Sequence, residues 1–160
     1  MQVIKIQGVI YNLRDIMAKW KVYFYLEGLR RDNAIIAWLD QERVPVAQIA
    51  AFQDKIDTLE EKGPEMVPGF ITDTPVAKDI YKMKIKGNRG MKQLRPMCCR
   101  GPFGSNEYTV LFGAVEKDNR LIPGDAKTRA QENLKALKAD PTRRVHERLA
   151  GKPKDGVSRA

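Results

Sequence analysis

Between Lys19 and Leu26 the apolar positions alternate with polar ones before crowding into aromatic and branched residues, Trp20, Val22, Tyr23, Phe24 and Tyr25, which predicts a first core strand. The period then lengthens. Leu29, Ile36 and Leu39 share one helical face, so a helix is predicted from Glu27 or Gly28 to Glu42, ended by Val44-Pro45. Steps of three and four through Val46, Ile49, Phe52, Ile56 and Leu59 predict a second helix over 46–62, closed by Gly63-Pro64. Residues 63–77, with Gly63, Pro64, Pro68, Gly69 and Pro75, read as a loop crossing from helix to sheet. Strands follow: 80–86, then a turn at Gly87-Asn88-Arg89-Gly90, then 91–100 as one strand or two joined by a kink at Pro96. After a turn over 101–106, residues 107–115 give the clearest strand, left by a turn at Lys117-Asp118-Asn119-Arg120. Past Pro123-Gly124, Asp125 is placed to cap a helix over 126–139 with Ala130, Leu134 and Leu137 inward.

This segregated order predicts an α+β fold, a two-helix hairpin packed on a small antiparallel sheet with a C-terminal helix. The 160 residues suit one domain with a real core. Its expected extent is 17–150. Residues 1–16 read as an N-terminal extension, because Met17 looks like a natural start just ahead of the first strand. The rival reading is an extra edge strand over Val3–Tyr11, whose Val3, Ile4, Ile6, Val9 and Ile10 are strand-prone. Residues 151–160 lack core material and read as a disordered tail. No apolar run is long enough to span a bilayer, and Lys5, Arg14 and Asp15 interrupt what a secretory leader needs, so a soluble, cytoplasmic protein is expected, with no membrane partner.

Charge adds the first functional signal. The formal net charge is +9, and it is unevenly spread: residues 27–66 carry −4, residues 67–106 carry +6 and residues 124–160 carry +5. Between Lys78 and Arg100 eight basic residues stand against one acid, Asp79. Lys82, Lys84 and Lys86 alternate with Tyr81, Met83 and Ile85, so on a strand the three amines share one face. Such a row suits phosphates, and a basic strand region plus a basic terminal helix suggests a one-sided polyanion footprint; an ordinary solvated strand face is the bland alternative. Cys98 and Cys99 are neighbours and point to opposite sides of a strand, which predicts free thiols. His146 is the only histidine, read as lying on an exposed helix, and no CxxC pair occurs, so neither a metal site nor any cofactor is expected. A catalytic acid pair, a Ser/His/Asp set and a phosphate-loop motif are likewise lacking.

Two stretches resemble the RelE/ParE toxin superfamily, in its HigB-like, phage-related branch. One is the run Lys84-Ile85-Lys86-Gly87-Asn88-Arg89-Gly90-Met91-Lys92-Gln93-Leu94-Arg95-Pro96, similar to a basic strand pair with a glycine turn and a Leu-Arg ending. The other runs from Tyr108 to Lys117, followed by Pro123 and Ala130, and is similar to the closing strand, turn and terminal helix. The resemblance covers about residues 18–140 and implies a RelE-like fold. It further implies the toxin of a type II toxin-antitoxin pair: an endoribonuclease cutting mRNA without a metal, often on the ribosome, with a cognate antitoxin as partner. The chain departs from that pattern where Gly113 and Ala114 stand in place of a histidine or aromatic, and where Glu116 precedes Lys117. A ParE-like toxin that binds DNA gyrase and a noncatalytic phage-derived nucleic-acid-binding protein are the alternatives.

RNA cleavage without a metal needs a base for the ribose 2′-OH, cations for the phosphorane and an acid for the leaving oxygen. Lys82 and Lys84, with Lys117, are the catalytic lysine candidates, since a lysine crowded by cations is pushed toward its neutral form. Arg95 can hold the scissile phosphate, and Tyr108 can exchange a proton or stack, or simply be core. Lys86, Arg89, Lys92, Arg100 and Arg129 are the expected RNA-binding cations. Glu116 with Lys117 reads as a surface turn pair.

Overall fold

A computed structural model describes residues 3–12 and 19–149. The first core strand, β3 (Lys21–Glu27), turns back through β4 (Asp32–Asn33) into helix α1 (Ala34–Gln41) and then helix α2 (Val46–Lys62), followed by a short 3-10 turn at Pro64–Met66. Strands β5 (Tyr81–Lys82), β6 (Gln93–Leu94), β7 (Met97–Arg100), β8 (Glu107–Phe112), β9 (Val115–Lys117) and β10 (Arg120–Ile122) come next. Helix α3 (Ala126–Ala139) and a last strand, β11 (Arg144–Val145), complete the order. The main sheet runs β11-β3-β8-β7-β5, and a smaller one runs β10-β9-β6.

The fold is α+β, but its main sheet is mixed rather than antiparallel. β3 pairs parallel with β8, Val22 opposite Tyr108 and Phe24 opposite Val110, while β7 pairs antiparallel with both β8 and β5. The reason is topological: two helices and a long crossing segment intervene between β3 and β8, which is what a parallel pair requires. Helices also cover both faces. Val22, Phe24, Cys98, Tyr108 and Val110 bury one face of the sheet against Ile35, Trp38 and Leu39 of α1 and Phe52, Ile56 and Leu59 of α2. Tyr25, Met97, Cys99 and Leu111 bury the other against Ala126, Ala130, Leu134 and Leu137 of α3. Each fully buried Phe, Leu or Ile contributes about 1.5–3 kcal/mol, so these two clusters dominate the favourable side of folding.

Helices α2 and α3 have the predicted bounds. α1 does not, because residues 28–31 form a turn: Gly28 and Arg31 have φ of 72° and 57°, Glu27 then pairs with Asp32, and Leu29 is fully exposed. Asn33 starts the helix instead, its side-chain oxygen accepting from the Ile35 and Ile36 amides at 2.9 and 3.1 Å. Asp125 makes no such cap; its carboxylate meets Arg129 at 3.3 Å. The strand expected over 80–86 is regular only at Tyr81–Lys82 and continues as single bridges at Met83 and Ile85, with Met83 and Ile85 buried and Lys84 and Lys86 exposed, as their alternation predicts. Pro96 does divide 91–100 into two strands, and they belong to different sheets. Gly113 similarly ends β8 short of Val115.

Residues 3–12 form a hairpin of β1 (Val3–Ile6) and β2 (Val9–Asn12), which among the described residues pair only with each other. This replaces the single edge strand over Val3–Tyr11; the tail at 151–160 lies outside the described residues. Past α3 the chain straps back across β3. Arg144 pairs with Glu107 and lies over the rings of Tyr23 and Phe103, with its guanidinium carbon 3.7 and 4.8 Å from the centroids. His146 follows on this strap, not on a helix, and meets Glu60 Oε2 at 2.7 Å. No described helix is long and apolar enough to cross a membrane.

Gly113 is where α1 presses on the sheet: a Cβ there would stand 2.0 Å from the Trp38 ring. Gly113→Ala is therefore expected to cost about 1–3 kcal/mol or more through overpacking. Urea unfolding measures it, and an unchanged midpoint would contradict this packing.

Candidate nucleic-acid interface

Lys82 faces α3's side of the sheet, because its cross-strand partner is Met97, a member of that core. Thr72 fixes its backbone, the Thr72 hydroxyl accepting from the Lys82 amide at 3.1 Å. Arg95 arrives from the connection between β6 and β7, its amide donating to the Ala114 carbonyl at 2.8 Å and its Nη1 to the Leu94 carbonyl at 2.9 Å. Glu116 comes from β9, opposite Gln93 of β6. Three separate segments thus bring these side chains together. Lys82 Nζ and Arg95 Nε each lie 3.5 Å from the same oxygen, Glu116 Oε1. All three side chains are half-buried, 21%, 12% and 24% exposed. At 3.5 Å both contacts are longer than a charge-assisted hydrogen bond, which leaves donors on each cation for a further acceptor. Chemically the cluster offers one carboxylate as proton acceptor, a guanidinium fork for phosphate oxygens and an ammonium donor.

The other face holds a second group. Tyr108 is 3% exposed and stacks on Trp20 with centroids 5.6 Å apart, while the Arg100 guanidinium lies 4.6 Å from the centroid of Tyr81. Tyr108 and Arg100 open onto a cavity of about 460 Å³ walled by the loop from Pro64 to Asp73. Burial pushes the Tyr108 hydroxyl above its ordinary range, with Arg100 opposing, so it stays protonated and acts as a donor rather than a base near neutral pH.

The expected catalytic set therefore divides. Lys82 and Arg95 meet, but Tyr108 is on the opposite side of the sheet, because Tyr81 and Lys82 alternate and Tyr108 belongs to Tyr81's face. Lys84 continues the exposed lysine row, and Lys117 stands exposed beside the β9–β10 turn. Of the expected RNA-binding cations, Lys86 and Arg89 are exposed near the 87–90 turn. Lys92 is held by Glu42 at 2.5 Å, Arg100 is committed to Tyr81, and Arg129 sits over Phe112 at 5.4 Å and pairs with Asp125. Glu116 is the residue that sequence reasoning undervalued. Its signal was position, an acid at the exit of the closing strand within an otherwise basic surface.

Cys98 and Cys99 are free and buried on opposite faces. Burial raises both thiols: Cys98 well above its usual value, with Cys99 adding to the rise and Arg100 opposing it, and Cys99 from 9.0 to about 12. These are inert packing groups, not nucleophiles.

Comparison of the chain with family models, curated proteins and solved structures finds no match.

The Cys99 thiol generates a pH prediction. Its folded pKa lies above its unfolded one, so its contribution to stability is complete below about pH 9 and is lost as pH rises toward 12. Cys99→Ala carries no such loss, so the stability gap between wild type and variant should narrow by about 2 kcal/mol between pH 8 and pH 10.5. Urea titrations at the two pH values read this directly. A constant gap would mean that the thiol ionises alike in both states.

Proposed function

We propose that this chain is a RelE/ParE-like toxin of the HigB-like kind, a metal-independent endoribonuclease that cuts mRNA in the cytoplasm and is held in check by a cognate antitoxin. The observation that carries the reading is the convergence of Lys82 and Arg95 on one oxygen of Glu116. Further support comes from element order: between the N-terminal hairpin and the short final β11 the chain gives strands, two helices, a run of strands and a helix, which is similar to the order the resemblance implies.

In this mechanism Glu116 takes the proton from a ribose 2′-OH, and the 2′ oxygen attacks the adjacent phosphorus. Arg95 and Lys82 neutralise the charge that accumulates on the phosphorane oxygens. The bond to the 5′ oxygen breaks, and the Lys82 ammonium gives a proton to that oxygen. The products are a 2′,3′-cyclic phosphate and a 5′-hydroxyl. Lys84, Lys86 and Arg89, exposed beyond the cluster, guide the strand toward it.

Purified protein incubated with mRNA, with and without ribosomes, should give discrete fragments ending in cyclic phosphate. Glu116→Gln keeps the shape and removes the base, and should slow cleavage about 100-fold or more. Failure to cleave under either condition, or equal rates for wild type and Glu116→Gln, would overturn the assignment.

A further inference from the structure

A second cation group lies on the α3 side of the molecule, outside the residues assigned above. Ala77 and Ile80 close a tight turn, the Ile80 amide donating to the Ala77 carbonyl at 3.0 Å, and Asp79 takes a φ of 63° to complete it. The tip of that turn is Lys78. It is set against α3, where Gln131 Nε2 donates to the Lys78 carbonyl at 3.3 Å. Between the turn and the helix is a hollow of about 330 Å³ lined by Lys78, Asp79, Gln131, Leu134, Lys135 and Lys138. Gln131, Leu134, Lys135 and Lys138 fall three and four apart, so one face of α3 supplies them all.

Lys78, Lys135 and Lys138 are exposed, and among the described residues none of the three has a carboxylate within 4.0 Å, whereas Lys82 and Lys92 do. Asp79 is the one acid on the rim, leaving a net charge of +2 around a floor formed by Leu134. A phosphodiester strand fits that combination: ammonium groups for successive phosphates, and an apolar floor for a ribose or base. A free inorganic anion would need no such floor. Lys78 also lies four residues before Lys82, so at about 3.3 Å per residue no more than about 13 Å of chain separates hollow and cluster.

We infer that the hollow bounded by Lys78, Lys135 and Lys138 is a second subsite for single-stranded RNA, gripping the backbone a few nucleotides from the phosphate held at Lys82 and Arg95. The inference rests on the ribonuclease reading of the Lys82 cluster. It assigns α3 a role in substrate affinity and none in bond cleavage.

The test uses the full chain and fluorescent oligoribonucleotides that are 2′-O-methylated and so cannot be cut, one of three nucleotides and one of ten. Lys78→Ala/Lys135→Ala/Lys138→Ala alters only exposed side chains, and circular dichroism confirms its folding. For the ten-mer, three lost phosphate contacts should lower the slope of log affinity against log salt by about 2, which is about 100-fold in affinity at 0.1 M salt if the two proteins converge at 1 M. The three-mer, which occupies only the Lys82 cluster, should bind both proteins alike. With cleavable RNA the variant should show a raised KM at unchanged kcat. An unchanged slope for the ten-mer, or equal weakening of both lengths, overturns the subsite while leaving the ribonuclease reading in place. A wild-type protein that binds neither length overturns both.

Discussion

The parallel pairing of β3 with β8 is the constraint on which the rest of the molecule depends. Two parallel neighbours cannot be joined by a tight turn, so the chain must leave the sheet after β3 and come back to its starting end before β8. That excursion contains α1 and α2, after which the chain re-enters the sheet at β5 and β7, and β8 follows β7 as its antiparallel neighbour. Once both strands are central, every residue on them faces one helical layer or the other, and the alternation sorts Val22, Phe24, Tyr108 and Val110 to α1 and α2 and sorts Tyr25 and Leu111 to α3. A slip of one residue would exchange the two sets.

Both outer edges of the main sheet are covered by flanking chain, residues 70–72 beside β5 and a strap beside β3. On the β3 side the two residues of β11 cover the edge, and Arg144 secures them with a charge-assisted contact to Glu107 and by lying between two aromatic rings. Both members of this pair are largely buried, 14% and 11% exposed, and each has further partners: Glu107 also accepts the Phe103 amide at 3.2 Å. A pair so enclosed is costly to break by removing one member, because the other is left charged in a poor solvent. The strap is tied at further points, Arg31 to Asp140 at 2.9 Å and Leu149 to Gln53 at 2.7 Å, so its placement does not rest on one contact.

Much of this was legible along the chain, and the exceptions share a cause. The bounds of α2 and α3 could be read because Pro45, Gly63 and Pro123 punctuate continuous helical periods. The lysine alternation from Lys82 to Lys86 was legible for the same reason, since period two is a local property. The start of α1 was misread because Leu29 happens to fit a helical face, while Gly28 and Arg31 turn the chain left-handed before the helix begins. Strand partnership left no local trace: periodicity announces that β3 and β8 are strands but not that they are parallel neighbours. Glu116 was undervalued on the same account, because its meaning comes from two residues, Lys82 and Arg95, 34 and 21 positions away.

The division of cations between two faces bears on what the basic charge is for. β5 ends the main sheet, but its outer side is covered by residues 70–72, the Thr72 amide donating to the Lys82 carbonyl at 3.0 Å and the Lys84 amide to the Phe70 carbonyl at 2.8 Å; Lys84 and Lys86 are exposed beyond it and serve solubility whatever the protein binds. That use requires only that the amines face water. It gives no reason for Lys82 to lean inward on a carboxylate, nor for Arg95 to reach the same oxygen from the β6–β7 connection with only 12% of its side chain exposed. Solubility accounts for a dispersed positive surface, whereas convergence of opposite charges in a half-buried setting incurs desolvation that solubility does not require. A further negative group at the cluster would offset the excess of two cations over one carboxylate.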